Sequence, residues 1–297
     1  MKIGVFGTLT DKGIRIDELA KAVEARGFDS LWLGEHSHVP VAVASHPREG
    51  GTPLPDFYRR LPDPFVQLGA AAAVTSRLTL GTAVCIVPEH DPIMLAKQVA
   101  TLDHVSGGRF RFGVGYGWNA LEMKHHGVDV KHKRAVFREK LLAMRSLWEQ
   151  EVAAFDGQFV RFEASYAWPK PVQRRLPVLI GAEAGPLTAA DVVELAEGWI
   201  PMDLRGGGDR LPAQLALIRE RLAASSQPRR SLDITLLDPL LAFADVAPDD
   251  FRARLGNLRG RQLVETHGLS GLVVGIPYFD RDRALRHLDA AAKHFLG

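Results

Sequence analysis

Cysteine is nearly absent: the 297 residues include one, Cys85. A lone thiol excludes an internal disulfide framework and suits a reducing compartment. Its place in the apolar run from Ala83 to Val87 predicts a buried, inert side chain. An excess of either charge is missing too. Lysine and arginine number 37 against 35 aspartates and glutamates, a net charge of +2, so nothing global draws the chain to nucleic acid or to an anionic membrane. No apolar run is long enough to span a bilayer. The opening MKIGVFGT has a single lysine and no apolar core with a cleavage site, which predicts a cytoplasmic protein. Also absent are a P-loop, a G-x-G-x-x-G turn, a G-x-S-x-G elbow, internal repeats and low-complexity linkers.

What is present is the composition of a globular protein with a large core, 46% hydrophobic and 24% charged. Short apolar runs alternate with amphipathic stretches from end to end. The runs predict strands over Ile3–Gly7, Ser30–Gly34, Leu78–Ile86, Phe110–Val114, Val178–Gly181, Trp199–Met202, Ile234–Phe243 and Leu272–Ile276. Between them, residues such as Ile16, Leu19, Ala20 and Val23, or Phe137, Leu141, Met144 and Trp148, share one helical face. Strands separated by helices pair in parallel with right-handed crossovers, and eight of them close a barrel. The fold class predicted is therefore α/β, a (β/α)8 TIM barrel formed by residues 1–297 as one domain. Two segments break the rhythm. Residues 37–63, rich in Pro, Gly and His, form an insertion after the second strand that reads as a lid or pocket wall. Asp156-Gly157 within 155–162 reads as a short two-residue hairpin.

In such a barrel, function resides at the carboxyl ends of the strands. RFRFGVGYGWN, residues 109–119, runs a strand into Gly113, Gly115 and Gly117, with Tyr116 and Trp118 beside them. Glycines allow close backbone approach to an anion, and the aromatics offer flat surfaces to a flat ring; a tightly packed strand end is the alternative. The other strand ends offer few acid–base groups, which suits a cofactor that carries the chemistry itself. No metal is expected. His36-x-His38 has the spacing found in metal-dependent amidohydrolases, yet it follows the second strand rather than the first, and the fourth and fifth strand ends supply no completing ligand. His46, His90 and His132 are further histidines that could be read as ligands, and His125 and His126 read as a solvated turn.

Over almost its full length the chain resembles the luciferase-like monooxygenase superfamily of flavin- and deazaflavin-dependent (β/α)8 barrels. The resemblance rests on GFDSLWLGEHSHVP at 27–40, DPFVQLGAAAAVTSRLTLGTAV at 63–84, DPIMLAKQVATLDHVSGGRFRFGVGYGWNALEMKHHGVD at 91–129, PKPVQRRLPVLIGA at 169–182 and AEGWIP at 196–201. The acidic residue before His36 and the GTAV strand are most similar to the branch that uses coenzyme F420, with FMN as the alternative cofactor. The resemblance implies a soluble homodimeric oxidoreductase acting on a small-molecule substrate. It places Glu35 and His36 beside the reactive ring, His36 to contact or protonate and Glu35 to orient. It places a non-prolyl cis peptide at Ala83-Val84, after Thr82, against the ring's central face. Gly115, Tyr116, Gly117, Trp118 and Asn119 would wrap the ribityl chain and phosphate, and Gly181, Ala182, Glu183, Ala184 and Gly185 would open a helix toward that phosphate. Here the sequence departs from the family pattern. Glu183 brings a negative charge, the next helix carries Asp191 and Glu194 and lacks the arginines usual in relatives, and Arg134, Arg174 and Arg175 either meet the tail or form a solvated basic surface. The expected reaction is hydride transfer with the deazaflavin. The alternatives are a flavin monooxygenase with FMN, or a barrel that binds a ligand without turnover.

Overall fold

The computed structural model describes residues 1–43, 54–202, 208–225, 231–243, 248–255, 259–277 and 280–297. His46, Asp203, residues 278–279 and the middle of the 37–63 insertion lie outside the described residues. Eight parallel strands close a barrel: β1 (Lys2–Gly7), β2 (Ser30–Leu33), β3 (Thr79–Thr82), β4 (Phe110–Gly115), β5 (Val178–Gly181), β6 (Gly198–Ile200), β7 (Asp233–Asp238) and β8 (Gly271–Ile276). Each pairs with the next, and β1 closes on β8 in the register Lys2 to Gly271 through Gly7 to Ile276.

Around the strands stand helices α1 (Ile16–Ala25), α2 (Pro64–Val74), α3 (Pro92–Val105), α4 (Ala120–His125), α5 (Lys133–Glu149), α6 (Pro186–Leu195), α7 (Leu211–Ala223), α8 (Pro248–Leu255), α9 (Gly260–His267) and α10 (Arg281–Phe295). Their starts are written locally. Asp63 and Asp91 each precede a proline, and each side chain accepts the N–H three residues on, from Val66 and Met94, at 2.8 Å. This is the Asp N-cap with Pro at the first helical position. Among the described residues no helix is long and apolar enough to cross a membrane.

Two predicted strands end early. The run 78–86 is broken at Ala83-Val84, whose peptide bond is cis, and resumes only at Cys85–Ile86, which pairs with Val114 and Gly115 of β4. The run 234–243 leaves the sheet after Asp238 and becomes a 3-10 turn, Leu240–Phe243. The predicted hairpin is present but longer: strands Val152–Asp156 and Arg161–Tyr166 flank the turn 157–160. That turn exceeds two residues because Glu139 of α5 accepts the N–H groups of Gln158, Phe159 and Val160.

The core has two compartments. Between helices and barrel lies the larger, containing Leu19, Leu31, Phe110, Phe112 and Phe137. Inside the barrel, Phe6, Trp32, Ala83, Leu179, Ile200, Leu237 and Val273 make a separate plug, and this plug forms the floor of the site described below. Strand residues alternate between the two, as in Val5 outward and Phe6 inward.

Arg109 ties the amino-terminal end of the barrel together. Its guanidinium donates to backbone at the ends of α2 and α3 and before β3, the carbonyls of Ala72, Thr75, Leu78 and Ser106 at 2.7–3.0 Å, and to the Thr75 hydroxyl. A planar fork with five donors fits this arrangement and an ammonium does not. Arg109→Lys is expected to lower stability by about 2–3 kcal/mol, through carbonyls left without a donor; urea unfolding that finds the variant as stable as the parent would remove this role.

Candidate active site

A cavity of about 260 Å³ opens at the carboxyl ends of the strands. Its floor is Phe6, Ala83 and Leu237 of the barrel plug, and its walls come from the segments after β1, β2, β4 and β5 together with Phe57, Tyr58 and Leu61 of the insertion.

The ledge in this cavity is Val84. It sits between Gly115 and Gly181. A Cβ on Gly115 would stand 2.5 Å from Val84 Cγ2, and one on Gly181 would stand 2.4 Å from Cγ1. Both glycines are thus needed to admit a valine side chain, where the sequence suggested a close approach to a ligand. Gly117 differs: its φ of 74° belongs to the left-handed region, and the turn aims its carbonyl at Lys133 Nζ, 2.9 Å away.

Glu35 does not reach toward the centre of the cavity with its charge. Its Oε2 accepts the Ile86 N–H at 2.6 Å, its Oε1 meets His90 Nε2 at 2.9 Å, and the Cys85 thiol bonds to it as well. The carboxylate thereby anchors the chain directly after the Val84 ledge. Burial lowers the basicity of His90, but the hydrogen bond and charge of Glu35 outweigh it and raise its pKa. Burial, reinforced by Glu35, pushes the Cys85 thiol well up, so it is the inert thiol expected.

His36 is held on both nitrogens. Trp118 Nε1–H donates to His36 Nε2 at 3.1 Å, and His36 Nδ1 lies 2.8 Å from Glu122 Oε2. An indole N–H only donates, so Nε2 is the bare lone pair and Nδ1 carries the hydrogen that Glu122 accepts. Glu122 is fully buried, and its Oε1 accepts the Ser37 N–H at 2.9 Å. Burial alone would raise its pKa; His36 and the N–H groups of Ser37 and His38 outweigh that and keep it an ionised carboxylate.

Glu122 is the principal residue that the sequence reading missed. A signal existed: Asn119-Ala-Leu-Glu122 is an N-cap followed by an acid at the third helical position. In the structure Asn119 is that cap. Its side chain accepts from Leu121 and Glu122 N–H, at 3.2 and 3.3 Å, and it is absent from the cavity wall, where it was expected to contact a cofactor. Thr82 is also elsewhere; it is fully buried with its hydroxyl on the Gly113 carbonyl. Ala184 gives its N–H to Gln214, and Gly185 caps α6, so neither lines the cavity. Ala83, Val84, Gly115, Tyr116, Gly117, Trp118, Gly181, Ala182 and Glu183 do line it, with Glu35 and His36.

The charges at the far end are rearranged relative to expectation. Asp191, fully buried in α6, accepts from Tyr116 Oη and Arg134, and pairs with Arg138. Two arginines of α5 therefore satisfy the acid on α6, and Arg134 is held there rather than on the cavity. Arg175 is likewise taken by Glu197. Glu183 lines the rim and pairs with Arg210 at 3.1 Å. The cation that does line the cavity is Lys133, at the start of α5, near Thr188 and the first turn of α6.

A luciferase-like monooxygenase family match covers residues 6–286. A Mycobacterium tuberculosis protein of unassigned activity is 41% identical over 283 residues, spanning 88% of this chain and 98% of its own. The chain belongs to the luciferase-like monooxygenase family. The family includes oxidoreductases of more than one kind. An F420-dependent glucose-6-phosphate dehydrogenase of Kineococcus radiotolerans is 27% identical over 227 residues, covering 75% of this chain and 62% of that one. The fold is matched by monooxygenase RslO1 of Streptomyces bottropensis, with a TM-score of 0.76 at 21% identity over 100% of this chain and 99% of the other.

For a luciferase-like barrel with this ledge, Gly181→Ala should lower stability by about 1–3 kcal/mol through overpacking against Val84. Gly181→Ala combined with Val84→Ala should recover most of that loss in thermal unfolding, because the smaller residue vacates the space; two independent, additive losses would show that the glycine accommodates something else.

Proposed function

We propose that this protein is an oxidoreductase that uses coenzyme F420 to move a hydride to or from a small organic substrate. The observation that carries the reading is the Glu122–His36 dyad, whose hydrogen-free Nε2 accepts the Trp118 indole N–H at the cavity wall, beside the Val84 ledge. The kinship with an F420-dependent dehydrogenase supports it.

The residues present fit such a group. The glycines at 115 and 181 admit Val84 as a ledge against which a flat ring would lie, with Phe6 and Ala83 as an apolar floor. At the opposite end, Lys133 and the first turn of α6 suit an anionic tail. Glu183, already paired with Arg210, leaves little net negative charge there. When bound, a deazaflavin supplies two-electron hydride chemistry at its ring carbon.

The chain's own residues handle the proton. His36 Nε2 takes a proton from a substrate hydroxyl during oxidation, or returns one to a carbonyl oxygen during reduction. Glu122 stabilises the imidazolium that forms, and holds the ring in the tautomer that leaves Nε2 free of hydrogen. Glu35 and His90 position the ledge from behind, without touching the reacting atoms. Phe57, 4% exposed, and Tyr58 keep water from one side of the cavity.

Fluorescence titration with coenzyme F420 and, separately, with FMN tests the cofactor: F420 should bind more tightly, and preference for FMN overturns the reading. His36→Ala should reduce turnover about 10²–10⁴-fold with little change in cofactor affinity; comparable losses in both would make His36 a holder of the ring and not an acid–base group.

A further inference from the structure

Behind the dyad lies a further, half-buried carboxyl that the mechanism above does not use. Glu89 closes the short 3-10 turn Val87–Glu89 that follows the Val84 ledge. Its Oε1 is sealed from solvent, and no N–H or O–H donor among the described residues reaches it. Its carboxyl does meet Glu122, with which it shares a hydrogen bond. Two acids cannot share a hydrogen bond as two anions; a proton must lie between them.

The surroundings settle which acid carries that proton. Glu122 is served by His36 Nδ1 and by the Ser37 N–H, both donors to an anion. Around Glu89 the charges are mostly of the wrong sign for ionisation. Glu122 on α4 and Glu35 after β2 repel it, and His90 on its own turn is directed to Glu35. Among the described residues the cation facing it is Lys140 on α5, whose ammonium is committed to the carbonyls of Pro88 and His90 at 2.8 and 2.6 Å. Burial first, then the charges of Glu122 and Glu35, push the Glu89 pKa up to about 9.

We propose that Glu89 is a positioning residue for the Glu122–His36 dyad: as a neutral carboxylic acid it donates a hydrogen bond to Glu122, and so limits how strongly Glu122 holds a proton on His36. The donation spreads part of the Glu122 charge away from the imidazole. Removing the donor concentrates that charge on His36, whereas glutamine keeps a neutral donor in the same place. The consequence for turnover rests on the proposed function; the protonation of Glu89 does not.

Three measurements on Glu89→Gln and Glu89→Leu decide the matter. In the cofactor-free protein at neutral pH, infrared difference spectra of wild type against Glu89→Gln should contain a protonated-carboxyl C=O band; its absence overturns the proposal. Thermal unfolding gives the second readout, with a definite sign. The folded carboxyl keeps its proton to about 9, while the unfolded one loses it near 4.5, so the wild-type fold weakens across that window as pH rises. Glutamine has no such proton, and the Tm advantage of Glu89→Gln should therefore grow steadily from pH 5 to 9; a constant difference overturns the proposal. In the F420-loaded enzyme, Glu89→Leu should move the acid limb of kcat/KM upward by roughly half to one pH unit, the equivalent of one neutral hydrogen bond, while Glu89→Gln leaves it near wild type. Equal displacement by both variants, or none by Glu89→Leu, overturns the positioning role. Should F420 fail to bind, the first two measurements still decide the state of Glu89 and only the functional reading falls.

Discussion

The mouth of the barrel depends on how one buried negative charge is satisfied. Glu122 is shut off from solvent on a two-turn helix, and an unpaired carboxylate in that position would cost several kcal/mol. Its partners come from across the fold: the imidazole of His36 and the N–H groups of Ser37 and His38, all in the segment leaving β2. Satisfying the charge therefore fixes the loop, the ring and its tautomer at once. Without α4 the histidine would lose the partner of its Nδ1, and without the histidine the buried acid would keep only neutral donors.

The same device recurs around the cavity. Glu35 collects Ile86 N–H and His90 and so fastens the segment after the Val84 ledge to the end of β2. Asp191 collects Tyr116, Arg134 and Arg138 and fastens the end of β4 to α5 and α6. Each of these three buried acids joins parts of the chain that local structure alone would leave independent. Loops at the catalytic end of a barrel are otherwise the least constrained part of the fold, and here the acids tie the described segments after β2, β3 and β4 to one another and to α4, α5 and α6.

Much of this was legible in the sequence, for identifiable reasons. Strands buried on both faces read as continuous apolar runs, and helices read by their 3.6-residue stripe, so the eightfold alternation survives without any tertiary information. His36 and the Ala83-Val84 step lie at strand ends and were found there. The partners were not. His36 and Glu122 are 86 positions apart, and Arg134 and Asp191 are 57 apart, so no window of sequence contains either pair. Reading Asp191 alone made it a liability for an anionic ligand; only the approach of α5 shows it already neutralised. Asn119 differs from its expected place for the opposite reason: the structure makes it the cap of α4 and leaves it off the cavity wall. Its local role as a helix cap was visible, and the attraction of the neighbouring glycines and aromatics drew it into the cofactor wall instead.

The indole of Trp118 occupies the lone pair through which His36 would act. An occupant of the cavity reaches that nitrogen only by offering a hydrogen-bond donor good enough to replace an indole N–H. Hydrocarbons and bare aromatic rings fill space without displacing it, and leave the imidazole capped. The tryptophan thus keeps the His36 lone pair satisfied in the resting protein, so that a polar donor, and not an apolar surface, is the kind of group that can take its place.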